Sequence, residues 1–276
     1  MKIFFVLWWK YYILSFAVIL IVETTISLFL PSTLPFTFLE ILFAFLAWYF
    51  LSPVLLTIAF RGTKSNDENL LRYVSYASAL LNFRKGVHVY EVNEKFLNAM
   101  AFGNIIYRAI AVTTPLKETL NERELVAVLS HEIAHLKNMD TEIQWIYILL
   151  INLVYVYLSY ETSLIYSGIV LLFGVLLMFP LHRYLEKRAD ITASYTTNWI
   201  AKYLGDALVK IGYLSTQLPT YIIKEIPEFQ IFYIKQSLIY SNRNGDNSFF
   251  KTHPPLNERL KYLNEIDTKL NFTQYT

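Results

Sequence analysis

The fold is decided by the stretch Asn121-Glu-Arg-Glu-Leu-Val-Ala-Val-Leu-Ser-His-Glu-Ile-Ala-His-Leu-Lys-Asn-Met-Asp140. It begins like a helix, because Asn121 is a good N-cap and an acidic residue follows three positions later. Apolar residues then recur at the spacing of a helix face, starting with Leu125, Val128 and Leu129. The remaining faces are also largely apolar, which predicts a central, buried helix rather than a surface one.

The second half of this helix carries His131-Glu-Ile-Ala-His135, an H-E-x-x-H pattern. Positions i and i+4 lie on the same helix face, so both imidazoles can bind one Zn²⁺ while Glu132 lies beside the metal as general base. The alternative is a pair of helix histidines with ordinary local hydrogen bonds. A metal is favoured because unpaired His and Glu side chains on a buried helix would cost several kcal/mol, on the order of the desolvation of a polar group.

A catalytic zinc usually has three protein ligands and an open position. The chain has no Cys, so the third ligand is His, Asp or Glu. Glu186 and Asp190 are again spaced i, i+4, which suits Glu186 as the metal ligand and Asp190 as a carboxylate that orients a ligand histidine. His182 is a rival ligand one turn earlier. A solvated charged turn at a membrane surface is the alternative for this segment.

The composition indicates a membrane protein. Of 276 residues, 55% are hydrophobic and only 17% are charged, against about 25% charged in soluble domains. This excludes intrinsic disorder, and the absence of Cys excludes a disulfide-stapled secreted domain and a thiolate metal site. A net charge of +2 gives no reason to expect nucleic acid as a partner.

Four stretches are long and apolar enough to cross a bilayer: 11–30, 36–60, 143–160 and 162–180. Short connections join them into two hairpins. Four buried core helices of a soluble protein are the alternative, but four such stretches are too many for one core of this size. The expected organisation is a membrane hairpin at 1–60, a first part of the domain with the H-E-x-x-H helix at 61–142, a second hairpin at 143–180 and the second part of that domain at 181–276.

Basic residues flank the soluble ends of the hairpins, whereas the hairpin tips have none. The positive-inside rule therefore predicts a multi-pass membrane protein with both termini and the polar segments in the cytoplasm. The membrane is expected to be the plasma (inner) membrane. The N-terminal apolar run is too long for a signal peptide and lacks a cleavage site, so it is interpreted as an uncleaved anchor. Two intramembrane acids, Glu23 and Glu40, stay unassigned.

The motifs together resemble the HtpX family of membrane-embedded zinc metallopeptidases. Besides the helix above and Glu186-x-x-x-Asp190, the resemblance is carried by Asn98–Gly103, Ala111–Leu116 and Thr252-His-Pro-Pro-Leu-x-x-Arg259. It implies a mainly α, α+β fold, with four transmembrane helices in two hairpins and a cytosolic gluzincin domain carrying a small β-sheet. It further implies one Zn²⁺ held by His131, His135 and Glu186, with Glu132 as general base. Asp190 is implied to contact a ligand residue without binding the metal itself.

The expected activity is hydrolysis of peptide bonds by a zinc-dependent endopeptidase. The substrate is expected to add itself as a strand to an edge formed by Asn98, Ala99, Met100, Ala101 and Phe102. The family's substrates are damaged or misfolded membrane proteins, which implies a role in protein quality control, with membrane or unfolded polypeptides and the lipid bilayer as partners.

Two other functions are weighed against this one. A peptidase that signals by cleavage would need an external sensor domain, and the external loops are short. A catalytically silent scaffold would not need the full set of ligands and base. A transporter would often contain paired broken helices, and these are not evident in the sequence. His253, followed by two prolines, is interpreted as the start of a helix rather than as a catalytic residue, and residues 241–248 are interpreted as a turn-rich polar loop.

Overall fold

The computed structural model describes residues 2–240 and 254–272, so His253 and the loop at 241–248 lie outside the described residues. The described part is mostly helical and has one small sheet. In chain order its elements are α1 (Lys2–Ser27), α2 (Leu34–Phe60), β1 (Thr63–Lys64), α3 (Glu68–Leu80), β2 (His88–Val92), β3 (Ala99–Gly103), β4 (Arg108–Thr113), α4 (Thr114–Thr119), α5 (Glu122–Asn138), α6 (Asp140–Glu161), α7 (Leu164–Ser194), α8 (Ile200–Gly212), a 3-10 turn (Leu214–Thr216), α9 (Thr220–Glu225), α10 (Glu228–Tyr240) and α11 (Leu256–Phe272).

Four of these helices, α1, α2, α6 and α7, are long and apolar enough to cross a membrane. They overlap the four stretches expected from the sequence, although α1 ends at Ser27 rather than at residue 30 and α7 begins at Leu164 rather than at residue 162. α1 packs on α2, and α6 packs on α7. The predicted fold class, with two apolar helical hairpins and a small sheet, is confirmed. The expected boundary at residue 180 lies inside α7, which runs unbroken through Pro180 to Ser194. One helix therefore joins an apolar span to the segment that contains Glu186 and Asp190.

The sheet has four strands in the order β1-β2-β4-β3. The central pair, β2 and β4, is parallel, while β1 and β3 are antiparallel to their neighbours. In β3, Ala99 faces Val112 and Gly103 faces Arg108. This order leaves β3 as an edge strand, with one row of backbone groups available to another chain.

Helix α5 lies at the centre of the soluble core. Its N-terminus forms a capping box, in which the Asn121 side chain accepts from the Glu124 amide and the Glu124 carboxylate accepts from the Asn121 amide, both at 2.9 Å. The helix packs against α3, α7, α8 and β3. Leu129, Ile133 and Ala134 are completely buried. The predicted helix is therefore held on all sides, which fixes the direction of its polar side chains.

Candidate active site

His131 and His135 project from one face of α5, and their Nε2 atoms lie 3.1 Å apart. Their rings meet edge to face, with centroids 4.6 Å apart. Two nitrogens that bind one tetrahedral zinc ion at about 2.0–2.1 Å are separated by roughly 3.3–3.4 Å. The spacing of the two imidazoles therefore fits a shared ion.

Glu186 reaches the same point from α7. Its carboxylate oxygens lie 3.8 Å from His131 Nε2 and 3.5 Å from His135 Nε2. Among the described residues, these three form the group whose ligand atoms all lie within 4.8 Å of one another. The donor set, two neutral nitrogens and one carboxylate, is that of a catalytic zinc site. The residues present therefore fit the metal expected from the sequence.

The rival ligand His182 lies one helical turn before Glu186 and is less buried. Its Nε2 is 3.7 Å from a Glu186 oxygen, and its Nδ1 is 3.2 Å from the side-chain nitrogen of Gln144. His182 is thus a neighbour of Glu186, whereas Glu186 is the residue that approaches both histidines of α5.

Each histidine has a carboxylate beside its other ring nitrogen. Nδ1 of His131 lies 2.8 Å from Asp190, and Nδ1 of His135 lies 2.6 Å from Asp140. A carboxylate at Nδ1 fixes the ring orientation and favours the tautomer whose Nε2 carries the lone pair. Asp190 thus lies beside His131, and Asp140 lies beside His135 in the same way.

The charge of Asp190 is balanced by Arg259 from α11. The guanidinium donates two hydrogen bonds to the carboxylate, at 2.8 and 2.7 Å, and the hydroxyl of Tyr262 donates another. Asp190 has no solvent exposure. Burial disfavours the charged guanidinium, but Asp190 and Glu186 outweigh it and hold the pKa of Arg259 above its usual value. The pair therefore stays ionised behind His131.

The ring of His135 lies in a strongly negative environment. Burial would lower its pKa, but the interactions with Asp140 and Glu186, together with the nearby Glu132, raise the pKa of His135 to about 10. The surrounding carboxylates therefore stabilise a positive charge at this place. A divalent cation competes with the proton for the same electrostatic potential.

Glu132 lies against the edge strand. Its Oε2 accepts a hydrogen bond from the Ala101 amide at 2.6 Å. In an antiparallel pair, alternate residues bond to the partner strand, and Asn98 and Asn104 bond to the β4 side, through Thr113 and Tyr107. By this alternation Ala99, Ala101 and Gly103 direct their backbone groups to the free edge. The expected base and the expected substrate strand are thus adjacent.

The residues that were expected to pair with the substrate lie in β3 or directly before it. Asn98 lies just before β3, and its amide and carbonyl both bond to Thr113. Ala99, Met100 and Ala101 are half-buried, whereas Phe102 is buried against the ends of α1 and α2. The Phe102 side chain therefore packs into this apolar cluster and holds the end of β3 in place.

Two residues of the site escape prediction from the sequence pattern. Asp140 is five positions after His135. It directly follows Met139, where α5 ends in a left-handed backbone conformation (φ 59°) and the chain changes direction. Arg259 is 69 positions from Asp190. The segment Thr252–Arg259, which carries part of the family resemblance, ends in this basic residue, but the partner of Arg259 depends on the packing of α11.

Comparisons with known proteins agree with this geometry. Residues 64–267 match the model of peptidase family M48. A "Protease HtpX homolog" of Moorella thermoacetica is 31% identical over 198 residues, and one of Thermoplasma volcanium is 30% identical over 194. Each match covers 63% of this chain, and 64% and 62% of the relatives. The chain thus matches less than two thirds of the length of these relatives.

The fold is also similar to that of a solved structure. The crystal structure of S. mikatae Ste24p matches 95% of this chain and 66% of its own chain, with a TM-score of 0.61 and 18% sequence identity. The similarity at this identity concerns the fold alone. The resemblance to HtpX-type membrane metallopeptidases is confirmed by these comparisons and by the family match, and the apolar helices make this a multi-pass membrane protein. Because the match to the family extends over more than half of its residues, the chain belongs to peptidase family M48.

Proposed function

We propose that this protein is a zinc-dependent endopeptidase that cleaves membrane proteins, in particular damaged or misfolded ones. The observation that carries the proposal is the meeting of His131, His135 and Glu186 beside Glu132, which itself contacts the free edge of the sheet. Each of these groups has a task in peptide hydrolysis. A purely structural cluster of buried charges would not need an open strand edge next to it.

The three residues of the cluster would hold the metal, and Asp190 and Asp140 would keep the two imidazoles directed at it. Zinc, when bound, polarises the scissile carbonyl and lowers the pKa of water towards about 7. Glu132 accepts the proton of the attacking water and later delivers it to the leaving amine. The Ala101 amide orients the Glu132 carboxylate for this transfer, because it occupies one oxygen and fixes the rotamer.

The substrate is aligned by strand addition to β3. An extended polypeptide pairs with the free backbone groups of Ala99 and Gly103, on either side of the Ala101 amide that holds Glu132. Such pairing brings one peptide bond of the substrate next to the carboxylate. It requires an extended segment, which misfolded proteins expose and well-folded proteins do not.

The soluble part faces the cytoplasm in this proposal, in the plasma (inner) membrane. The supporting observation is the excess of Lys and Arg on the soluble side of both hairpins. Protease treatment of inverted vesicles tests the topology. Digestion of the 61–142 segment in intact inverted vesicles is expected, and full protection of that segment would place the site on the other side.

The activity is tested with Glu132→Gln, measured for zinc content and for cleavage of an unfolded membrane protein. Gln keeps an oxygen that can accept from Ala101, so fold and zinc content are expected to stay. Cleavage is expected to fall by about 10²–10⁴, the usual contribution of a positioned acid–base group. The matched control is Glu122→Gln, an exposed residue of the same helix. Full activity of Glu132→Gln with normal zinc content would refute the mechanism.

A further inference from the structure

The loop between β3 and β4 is a tight turn closed by its own side chain. The Asn104 amide donates to the Tyr107 carbonyl at 2.7 Å, and the Asn104 side-chain oxygen accepts from the amides of Ile106 and Tyr107 at 3.0 and 2.9 Å. Gly103 has a φ of 136°, and a Cβ at this position would lie 2.0 Å from the Tyr107 carbonyl oxygen. These hydrogen bonds and the positive φ of Gly103 therefore hold the loop in one defined conformation.

The tip of this loop presents two isoleucines to the outside. Ile105 is 51% exposed and Ile106 is 80% exposed. A tight turn on a water-exposed surface usually carries Gly, Asn, Asp, Ser or Pro at such positions. Two adjacent, exposed, β-branched apolar residues therefore indicate a surface that does not face water.

The tip is attached to a membrane helix. The side-chain nitrogen of Asn104 donates to the carbonyls of Tyr49 and Phe50 in α2, each at 3.3 Å, and the Ile105 amide donates to the Tyr49 hydroxyl at 2.7 Å. The Tyr49 carbonyl lacks its usual helical donor, because the residue four positions later is Pro53. Within α2 this carbonyl accepts from the Ser52 hydroxyl at 3.0 Å, and the Asn104 side chain adds a second donor from the loop.

This attachment lies within the apolar part of α2. Towards the soluble end, α2 still exposes Val54 (55%) and Ile58 (60%), and Ile58 is about 13 Å beyond Tyr49 at 1.5 Å per helical residue. The Tyr49 ring lies 4.9 Å from that of Trp145 in α6, and aromatic residues of this kind concentrate at membrane interfaces. The loop tip is therefore level with the interfacial zone or deeper.

We propose that the β3–β4 tip, Ile105 and Ile106, inserts into the boundary between lipid headgroups and acyl chains, beside α2. An irregular loop at this depth must have its amides satisfied by the protein. The amides of Asn104, Ile105, Ile106 and Tyr107 all are. The partner of the surface is the lipid bilayer, as it is for the adjoining face of α2, and the isoleucines supply the apolar contact that interfacial segments use.

The insertion has a consequence for the active site. β3 contacts Glu132 at its middle residue, Ala101, and ends at Gly103, directly before the loop. The free strand edge therefore leads from the site to the bilayer surface. A segment leaving the membrane can pair with this edge without crossing open water. This consequence rests on the proposed function, whereas the lipid contact itself does not.

The lipid contact is tested with site-directed spin labels. The chain has no native Cys, so Ile106→Cys provides a single labelling site, and Ile105→Cys provides a second in case the first variant does not fold. The labelled protein is reconstituted into phosphatidylcholine–phosphatidylglycerol vesicles. Relaxation by oxygen, which concentrates in acyl chains, is compared with relaxation by a water-soluble nickel chelate. Leu172→Cys, 57% exposed on α7, is the lipid reference, and Tyr195→Cys, 51% exposed after α7, is the water reference.

The expected result is an oxygen-to-nickel accessibility ratio at Ile106 that is well above that of Tyr195 and lies between the ratios of Tyr195 and Leu172. A ratio equal to that of Tyr195 would overturn the proposal. Protection from both reagents would also overturn it, because the tip would then be covered by protein. None of these readings depends on catalysis, so an inactive protein would leave the result interpretable.

Discussion

The pair formed by Asp190 and Arg259 allows a quantitative test of how the metal site is supported. Asp190 has no solvent exposure in the unmodified protein, and Arg259→Ala removes two hydrogen bonds of 2.7 and 2.8 Å from its carboxylate. Breaking a buried ion pair on one side costs about 3–5 kcal/mol. At about 2–4 °C per kcal/mol for a domain of 150–250 residues, this corresponds to a decrease of roughly 6–20 °C in Tm.

The same substitution is expected to weaken zinc binding. Asp190 without Arg259 is free to shift or to become protonated, and His131 then loses the group that orients its ring. Loss of such a support usually lowers metal affinity by about 10–100-fold. Tm is measured in detergent by thermal unfolding, and zinc affinity is measured by competition with a chelating dye. Lys261→Ala, an exposed residue of the same helix, is the control and is expected to stay within about 0.5 kcal/mol of the unmodified protein.

A double variant separates stability from metal support. Asp190→Leu combined with Arg259→Met replaces the pair by apolar side chains, which often restores stability. Zinc affinity is nevertheless expected to stay low, because His131 still lacks its carboxylate. Arg259→Ala with Tm and zinc affinity equal to those of the Lys261→Ala control would refute the reasoning. Recovery of both quantities in the double variant would show that Asp190 acts on stability alone.

Three further predictions concern other parts of the molecule. Lys117→Met is expected to lower stability at neutral pH by up to about 1 kcal/mol, because the ion pairs are partly exposed. Hydrogen bonds from Lys117 lower the pKa of Asp67, and they also lower that of Glu91 against the opposing effect of burial. This stability is present above the ordinary carboxyl pKa and is lost as pH falls through the depressed values. The difference between variant and unmodified protein should therefore shrink in acid unfolding curves as pH falls below the ordinary carboxyl pKa, and it should vanish once pH is below the depressed values. Gly103→Ala is expected to cost at least about 1–3 kcal/mol in thermal unfolding, because φ is positive and the added Cβ meets the Tyr107 carbonyl; an unchanged Tm would contradict the turn geometry. Removal of metal by a chelator is expected to abolish cleavage and lower Tm, and added zinc is expected to restore both; cleavage that persists in metal-free protein, verified by elemental analysis, would contradict a zinc mechanism.

The features that were predictable from the sequence are those encoded by local periodicity. Apolar runs of sufficient length predict the four long helices, and the i, i+4 spacings place His131 beside His135 and Glu186 beside Asp190. In both cases the helix itself supplies the geometry. The capping pattern at Asn121 likewise predicts the start of α5, because the cap and its partner are only three residues apart.

The contacts that were not predictable join elements through the tertiary fold. Asp140 reaches His135 only because the chain reverses at Met139, and Arg259 reaches Asp190 only because α11 packs against α7. The strand order, which makes β3 an edge, depends on a parallel pairing between β2 and β4 that no single segment encodes. The role of Asn104 depends on a carbonyl of α2, 55 positions away.

The candidate metal site is built partly from the two helices of the second apolar hairpin. Asp140, which orients His135, is the first residue of α6, and Glu186 lies on α7, so both helices of the hairpin end in the site. Their mutual position is fixed at Gly174, where any Cβ would meet Ile151 at 2.9 Å and where the carbonyl accepts from Tyr147 at 2.7 Å. Glu186 lies roughly 18 Å further along the same helix. Because α7 is continuous over this distance, a shift between α6 and α7 in the bilayer would move Glu186 relative to the histidines. The packing of the membrane hairpin therefore contributes directly to the ligand geometry, and the site cannot be regarded as a soluble domain that is merely tethered to a membrane.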